Sequence, residues 1–198
     1  MLGPNNEAAA RDALRTWPAG LQVGGGINAA NAPEWIGWGA QKVIITSYLF
    51  LDGVLSLDRL HLVLRALGDD REKLVIDLSC RRHAETWVVA TNKWQTLTDV
   101  EVNEATIKLL EPHCSEFLIH AADHEGLQRG VDEELVRRLA LWCSIPVTYA
   151  GGGRNVADLE TVRELSMGKV DVTIGSALDI FGGNGVTLDE CVAWNERQ

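Results

Sequence analysis

Two hydrophobic periodicities alternate along this chain. Short apolar runs at Leu21 to Val23, Val43 to Ile45, Lys73 to Leu78, Phe117 to His120, Val147 to Ala150 and Val170 to Ile174 read as buried strands. Between them, apolar residues recur three or four apart: Ala10, Ala13, Leu14 and Trp17; Leu57, Leu60, Leu64 and Leu67; Leu135, Val136, Leu139 and Trp142; Val156, Leu159, Val162 and Leu165. That spacing lines one face of a helix. Asn5 or Asn6 can cap the first helix, Pro33 suits the first turn of the second, and Gly68 closes the leucine stripe. Helices near Val102 to Leu110 and Leu188 to Trp194 complete the pattern, and the insertion after Leu78 is expected to hold a short strand at Trp87 to Ala90. Six apolar strands alternating with amphipathic helices predict an α/β fold with a parallel sheet.

Composition narrows the class. With 198 residues and 46% hydrophobic content the chain can bury a substantial core as one domain, residues 1–198. Its 18 basic and 28 acidic residues give a net charge of −10, which argues against a nucleic-acid surface and leaves anionic ligands to be met by backbone amides. Cys80, Cys114, Cys143 and Cys191 stand apart, without zinc-ligand spacing, and read as reduced thiols in a cytoplasmic protein. The stretch from Met1 to Asp12 lacks a basic region followed by an apolar run, and no run of 18 apolar residues occurs, so neither an export signal nor a membrane span is expected.

The candidate chemistry lies in a repeat. LQVGGGIN at Leu21 to Asn28, followed by KVIITSYLF at Lys42 to Phe50, returns as VTYAGGG at Val147 to Gly153, followed by DVTIGSALDIFGG at Asp171 to Gly183. Gly24 and Gly151 are 127 residues apart, and Ser47 and Ser176 are 129 apart. That period far exceeds a solenoid unit of roughly 20 to 50 residues. It suits two similar halves, with phosphate grips at 24–47 and 151–176. Bare glycine lets backbone N–H groups approach phosphate oxygens. Gly24, Gly25, Gly26, Thr46 and Ser47 form the first candidate grip, and Gly151, Gly152, Gly153, Gly175 and Ser176 the second. Hydroxyls at Thr46, Ser47 and Ser176 can donate without adding charge. The expected ligand is a small molecule with a phosphate at each end.

These segments, with LGPN at Leu2 to Asn5, VIDLSCR, NKWQTLTD and FLIHAADHEG, closely resemble the eukaryotic phosphoribosylformimino-5-aminoimidazole carboxamide ribotide isomerases of histidine biosynthesis. The resemblance implies a (βα)8 TIM barrel and an Amadori rearrangement of an aminoaldose to an aminoketose on a bis-phosphorylated substrate. No cofactor or metal is expected. It also implies an aspartate on a first barrel strand that takes part in proton transfer. The repeat places that strand about 50 residues before Met1, so an N-terminally truncated barrel is expected, lacking its first strand and most of its second. Such a chain should self-associate through open edges, where a complete barrel would be monomeric, and should turn over weakly.

Within this scheme Asp77 sits in the apolar run Leu74 to Leu78. A carboxylate there costs several kcal/mol unless paired or used, and opening a ribose ring needs an acid while moving the C2 proton needs a base. Asp77 is the acid/base candidate, with Ser79 two residues on and on the same side if the strand continues. His120, ending FLIH, is a candidate for orienting the substrate. Asp123 and Glu125 follow it, and Glu125 matches the family's acidic-glycine step. Trp94 can stack on the imidazole carboxamide as its loop closes. Arg81 and Lys93 can reach a phosphate, although a surface role is the plainer reading. Two rivals stay open: the cyclase subunit of imidazole glycerol phosphate synthase, and a phosphate-binding barrel without catalysis.

Overall fold

The computed structural model describes residues 6–124, 126–127 and 129–197. The first half runs α1 (Glu7–Thr16), β1 (Gln22–Gly24), α2 (Ala32–Gly37), β2 (Lys42–Ile45), β3 (Phe50–Leu51), β4 (Val54–Leu55), α3 (Leu57–Ala66) and β5 (Leu74–Asp77). An insertion follows, β6 (Cys80–His83), β7 (Thr86–Thr91) and β8 (Thr96–Glu101), leading to α4 (Glu104–Leu110) and β9 (Glu116–His120). The chain then alternates through α5 (Glu133–Trp142), β10 (Val147–Ala150), α6 (Val156–Ser166), β11 (Val170–Thr173) and α7 (Leu188–Asn195). Leu2, Gly3, Pro4 and Asn5 lie outside the described residues, and so does the expectation of a frayed strand there.

Six strands form one parallel sheet in the order β1-β2-β5-β9-β10-β11. Each strand adds beside its predecessor without the reversal that marks a doubly wound sheet. Among the described residues, β1 and β11 each have a hydrogen-bonded neighbour on one side only. Period-two alternation sorts the side chains. Val43, Ile45, Phe117, Ile119, Val147 and Tyr149 are buried, while Lys42, Ile44, Glu116, Leu118, His120 and Thr148 on the other face are half-buried. β5, at the middle of the sheet, is buried throughout.

Local chemistry fixes the helix starts. Side chains of Ser56, Asn103, Asp132 and Asn155 accept from the backbone N–H groups of Arg59, Thr106, Leu135 and Asp158, and Thr187 with Glu190 forms a capping box on α7. Asp132 also accepts from Trp87 Nε1 at 2.8 Å, and its own N–H donates to the Tyr149 hydroxyl at 2.9 Å. One residue therefore ties the insertion, α5 and β10 together.

The insertion differs from expectation. Instead of a lone strand at Trp87 to Ala90, it is a three-stranded antiparallel sheet, β6-β7-β8. Only β7 is mostly buried, and β6 and β8 are mostly exposed, so their polar residues carry no apolar run. A short antiparallel hairpin, β3–β4, also forms, from two-residue strands too short to show a period. The insertion is stitched to the main sheet where Ala122 N–H donates to Cys80 O at 2.9 Å and Leu78 N–H to Leu118 O at 2.9 Å.

Candidate active site

Parallel strands place their C-terminal ends together, so the turns after β1, β2, β5, β9, β10 and β11 share one end of the sheet. A cavity of about 660 Å³ opens there, lined by Gly24, Gly25, Gly26, Thr46, Ser47, Asp77, Ser79, Trp94 and His120. These nine residues, all singled out in the sequence, thus meet in one place. Asn92, Lys93, Ile27, Ile44 and Leu118 also line it. Of these, Ile44 and Leu118 could have been found from strand alternation with Thr46 and His120.

Asp77 sits at the cavity floor. Thr46 Oγ1 donates to its Oδ2 at 3.0 Å, and Ser79 Oγ lies 3.1 Å from each carboxyl oxygen. Burial pushes the carboxyl up to about 6, against the opposing pull of the Thr46 hydrogen bond, the nearby His120 and the Ser79 hydrogen bond. A group poised so close to neutrality can both give and take a proton. The strand ends at Asp77, yet Ser79 stays buried on the same side, and the two side chains meet at one spot.

The wall opposite is the β7–β8 hairpin. Its tip carries three successive residues in the left-handed region, Asn92, Lys93 and Trp94, with φ of 51°, 54° and 65°. That region costs Lys93 and Trp94 roughly 1 to 2 kcal/mol each, and asparagine less. The outcome is that the Trp94 ring meets His120 edge-to-face, with centroids 4.8 Å apart at 66°. The tip is spent on placing an aromatic over the cavity.

Other candidates fall elsewhere. Gly151, Gly152 and Gly153 are buried at the end of β10, and Gly175 and Ser176 are exposed beyond β11; none of the five lines the Asp77 cavity. Asp123 accepts from Arg81 Nε at 2.8 Å and from the Arg82 N–H at 2.7 Å, so it clamps the insertion and occupies Arg81 as well. Glu125 lies outside the described residues. Arg154, just past the second glycine run, is paired bidentately with Asp158. Although burial opposes it, that pairing holds Asp158 below the usual carboxylate range. Burial pushes the Cys114 and Cys143 thiols up to about 12, leaving them un-ionised at neutral pH.

At the opposite end of the same face, Glu116 accepts from Lys42 Nζ at 3.1 Å, Gln22 Nε2 at 2.8 Å and Thr148 Oγ1 at 3.1 Å. A second cavity of about 680 Å³ follows the outer edge of β11 between α6 and α7. Asp171 is the one carboxylate in its lining, so acid/base chemistry is not concentrated there. Among the described residues, no group of three or more His, Cys, Asp or Glu side chains could hold a metal ion, and no helix is long and apolar enough to cross a membrane.

Comparison with known proteins places the chain in a family. The profile of the family described as histidine biosynthesis protein matches residues 3–183, and the chain belongs to that family. A relative from Neurospora crassa is 69% identical over 199 residues, covering 100% of this chain and 77% of its own length. Relatives from Yarrowia lipolytica and Saccharomyces cerevisiae are 54% and 53% identical over 203 residues, covering 99% and 100% of this chain and 76% and 77% of their own lengths. All three are named 1-(5-phosphoribosyl)-5-((5-phosphoribosylamino)methylideneamino) imidazole-4-carboxamide isomerase.

Proposed function

We propose that this protein is an aldose–ketose isomerase of histidine biosynthesis, acting by an Amadori rearrangement on a bis-phosphorylated aminoimidazole carboxamide ribotide. The observation that carries the reading is the 69% identity to the Neurospora crassa isomerase along the whole chain. The cyclase and non-catalytic alternatives gain nothing comparable.

The chemistry asks for little beyond proton transfer. Protonating the ribose ring oxygen lets its bond to C1 break while the amine lone pair forms a C1=N iminium. Removing the C2 proton then gives an enaminol. Its collapse, with a proton delivered to C1 and one lost from the C2 hydroxyl, leaves the aminoketose. Atoms balance without any external reactant. Asp77, held near neutrality by burial, gives or takes the proton, and His120 orients the sugar beside it. Glu125 remains a second acid/base candidate. Trp94 stacks on the imidazole carboxamide and helps exclude water. Gly24 to Gly26 with Ser47 take one phosphate, and Gly151 to Gly153 with Gly175 and Ser176 take the other. Neither a metal nor a cofactor enters any step.

The same reading makes the unreversed sheet a sector of a (βα)8 barrel with two similar halves, 24–47 and 151–176 being equivalent turns. Barrel closure requires strands between β1 and β11, which the described residues do not supply. Free thiols suit a reducing cytoplasm.

Conversion of the ribotide, followed by chromatography of substrate and product, tests the function. Asp77→Asn should lower turnover about 10²- to 10⁴-fold. Turnover within a few-fold of the parent would remove Asp77 from the mechanism. Conversion of a different ribotide in place of this one would overturn the reading itself.

A further inference from the structure

The sequence groups Thr46 with Ser47 and the first glycine run as a phosphate grip, but its hydroxyl is directed elsewhere. β2 and β5 pair in parallel with Ile45 opposite Ile76, which sets the next residues, Thr46 and Asp77, side by side at the strand ends. Thr46 Oγ1 donates to Asp77 Oδ2 at 3.0 Å, and the Ser79 hydroxyl lies 3.1 Å from both Oδ1 and Oδ2. Ser47, one residue on, is exposed. Neighbouring hydroxyls therefore face different tasks.

We infer that Thr46 is a positioning residue for the Asp77 carboxyl and not a phosphate ligand, holding Oδ2 so that the less encumbered Oδ1 exchanges the proton with substrate. A threonine suits this because its hydroxyl can donate to an ionised carboxylate and accept from a protonated one, keeping the carboxyl in place through both halves of a proton transfer. Its β-branch confines the side chain to few rotamers, so the hydroxyl stays on target. An ammonium or guanidinium at this place would lock the carboxylate in its ionised form. The other titratable groups toward Asp77 are His120 from β9, Cys80 from β6 and Lys93 from the hairpin tip, all unchanged by substitution at Thr46. Because loss of the Thr46 hydrogen bond removes a pull that lowers the Asp77 pKa, the titration should move upward.

The inference rests on Asp77 serving as the acid/base of the isomerase, and the test separates the two. In the full protein, the Asp77 carboxyl carbon would be titrated by ¹³C NMR in parent, Thr46→Val and Thr46→Ser, with kcat and KM for the ribotide measured across pH in each. Valine keeps the shape without the hydroxyl, and serine restores the hydroxyl. Thr46→Val should raise the Asp77 midpoint by about one pH unit, shift the pH profile of kcat the same way, and lower kcat at least about tenfold with KM within about twofold. Thr46→Ser should return all of these toward the parent. An unmoved Asp77 midpoint would overturn the inference, as would a raised KM with kcat intact, the signature of a lost phosphate contact. Should Thr46→Val fold poorly, Thr46→Ala gives the same titration comparison. If the parent fails to convert the ribotide, the functional reading fails while the NMR titration still decides the Thr46–Asp77 tether.

Discussion

The two glycine turns look alike as sequence and differ as structure. Gly25 and Gly26 after β1 have φ of 97° and 72°, and a Cβ built on Gly26 would meet nothing within 4 Å. The turn opens into the cavity beside Asp77, with the Gly26 carbonyl accepting from Asn31 Nδ2 at 3.0 Å. After β10, a Cβ on Gly151 would lie 2.6 Å from Ala121 O, and one on Gly152 would collide with Gly130 O. There the protein's own backbone, at Ala121 and Gly130, presses on the glycines, and Gly130 N–H donates to Gly152 O at 3.1 Å. A glycine run announces close approach without naming what approaches. At the first turn the side a Cβ would occupy is open, and at the second that side is filled by the fold's own backbone.

Substitution should separate the two turns most sharply at Gly152. An alanine there combines a left-handed φ of 77° with a backbone collision. Strain and overpacking together should cost about 3 kcal/mol, read from urea unfolding. A loss below about 1 kcal/mol would mean that the backbone at Gly130 yields freely, and the contrast would dissolve. Asp77→Asn tests the other side, with the opposite sign. Burial raises the Asp77 carboxyl from 3.8 to about 6, so the folded protein binds the proton more tightly than the unfolded chain. The stability belonging to the protonated form is complete below about pH 4 and is lost as pH rises through about 6, a swing of about 3 kcal/mol. Asparagine does not ionise. The variant should therefore be more stable than the parent at pH 7 by up to ~3 kcal/mol, with the advantage vanishing near pH 4, even as turnover collapses. Equal or lower stability at pH 7 would show that the ionised carboxylate is better solvated than its burial indicates.

Both results bear on what the sequence could show. The strands and helices of the main sheet were legible because burial on one or both faces forces an apolar period. β6 and β8 were not, because strands with mostly exposed side chains need no such period. Asp77 was legible for an energetic reason, as a carboxylate inside an apolar run demands an explanation. Thr46 lines the same cavity as the first glycine run, with its hydroxyl on Asp77: sequence gives two adjacent hydroxyls, and only the pairing of Ile45 with Ile76 decides which one meets Asp77. The β7–β8 tip was visible as a tryptophan in a polar loop, but its contact with His120 depends on three left-handed residues that composition does not signal. The second glycine run could not be told from the first, since the backbone of Ala121 and Gly130 comes from a distant part of the chain.

The smallest effect on stability is expected at Gly26, and it is the most discriminating. Alanine there keeps a φ of 72° that a Cβ tolerates poorly, at about 1 kcal/mol. No collision adds to that figure, because the space beyond is open. That open space is the cavity, however, and a methyl projecting into it occupies room next to the turn's N–H groups. If this turn takes a phosphate, Gly26→Ala should raise KM for the ribotide about tenfold, a loss of ~1.4 kcal/mol in binding, while kcat changes little because Asp77 and its hydroxyls are untouched. Gly152→Ala should show the reverse balance, with unfolding dominating and any surviving folded protein binding less altered than its stability. Were Gly26→Ala to bind substrate as the parent does, the first turn would be only a turn. The phosphate would then have to be sought among Ser47, Lys93 and Asn92 on the cavity rim.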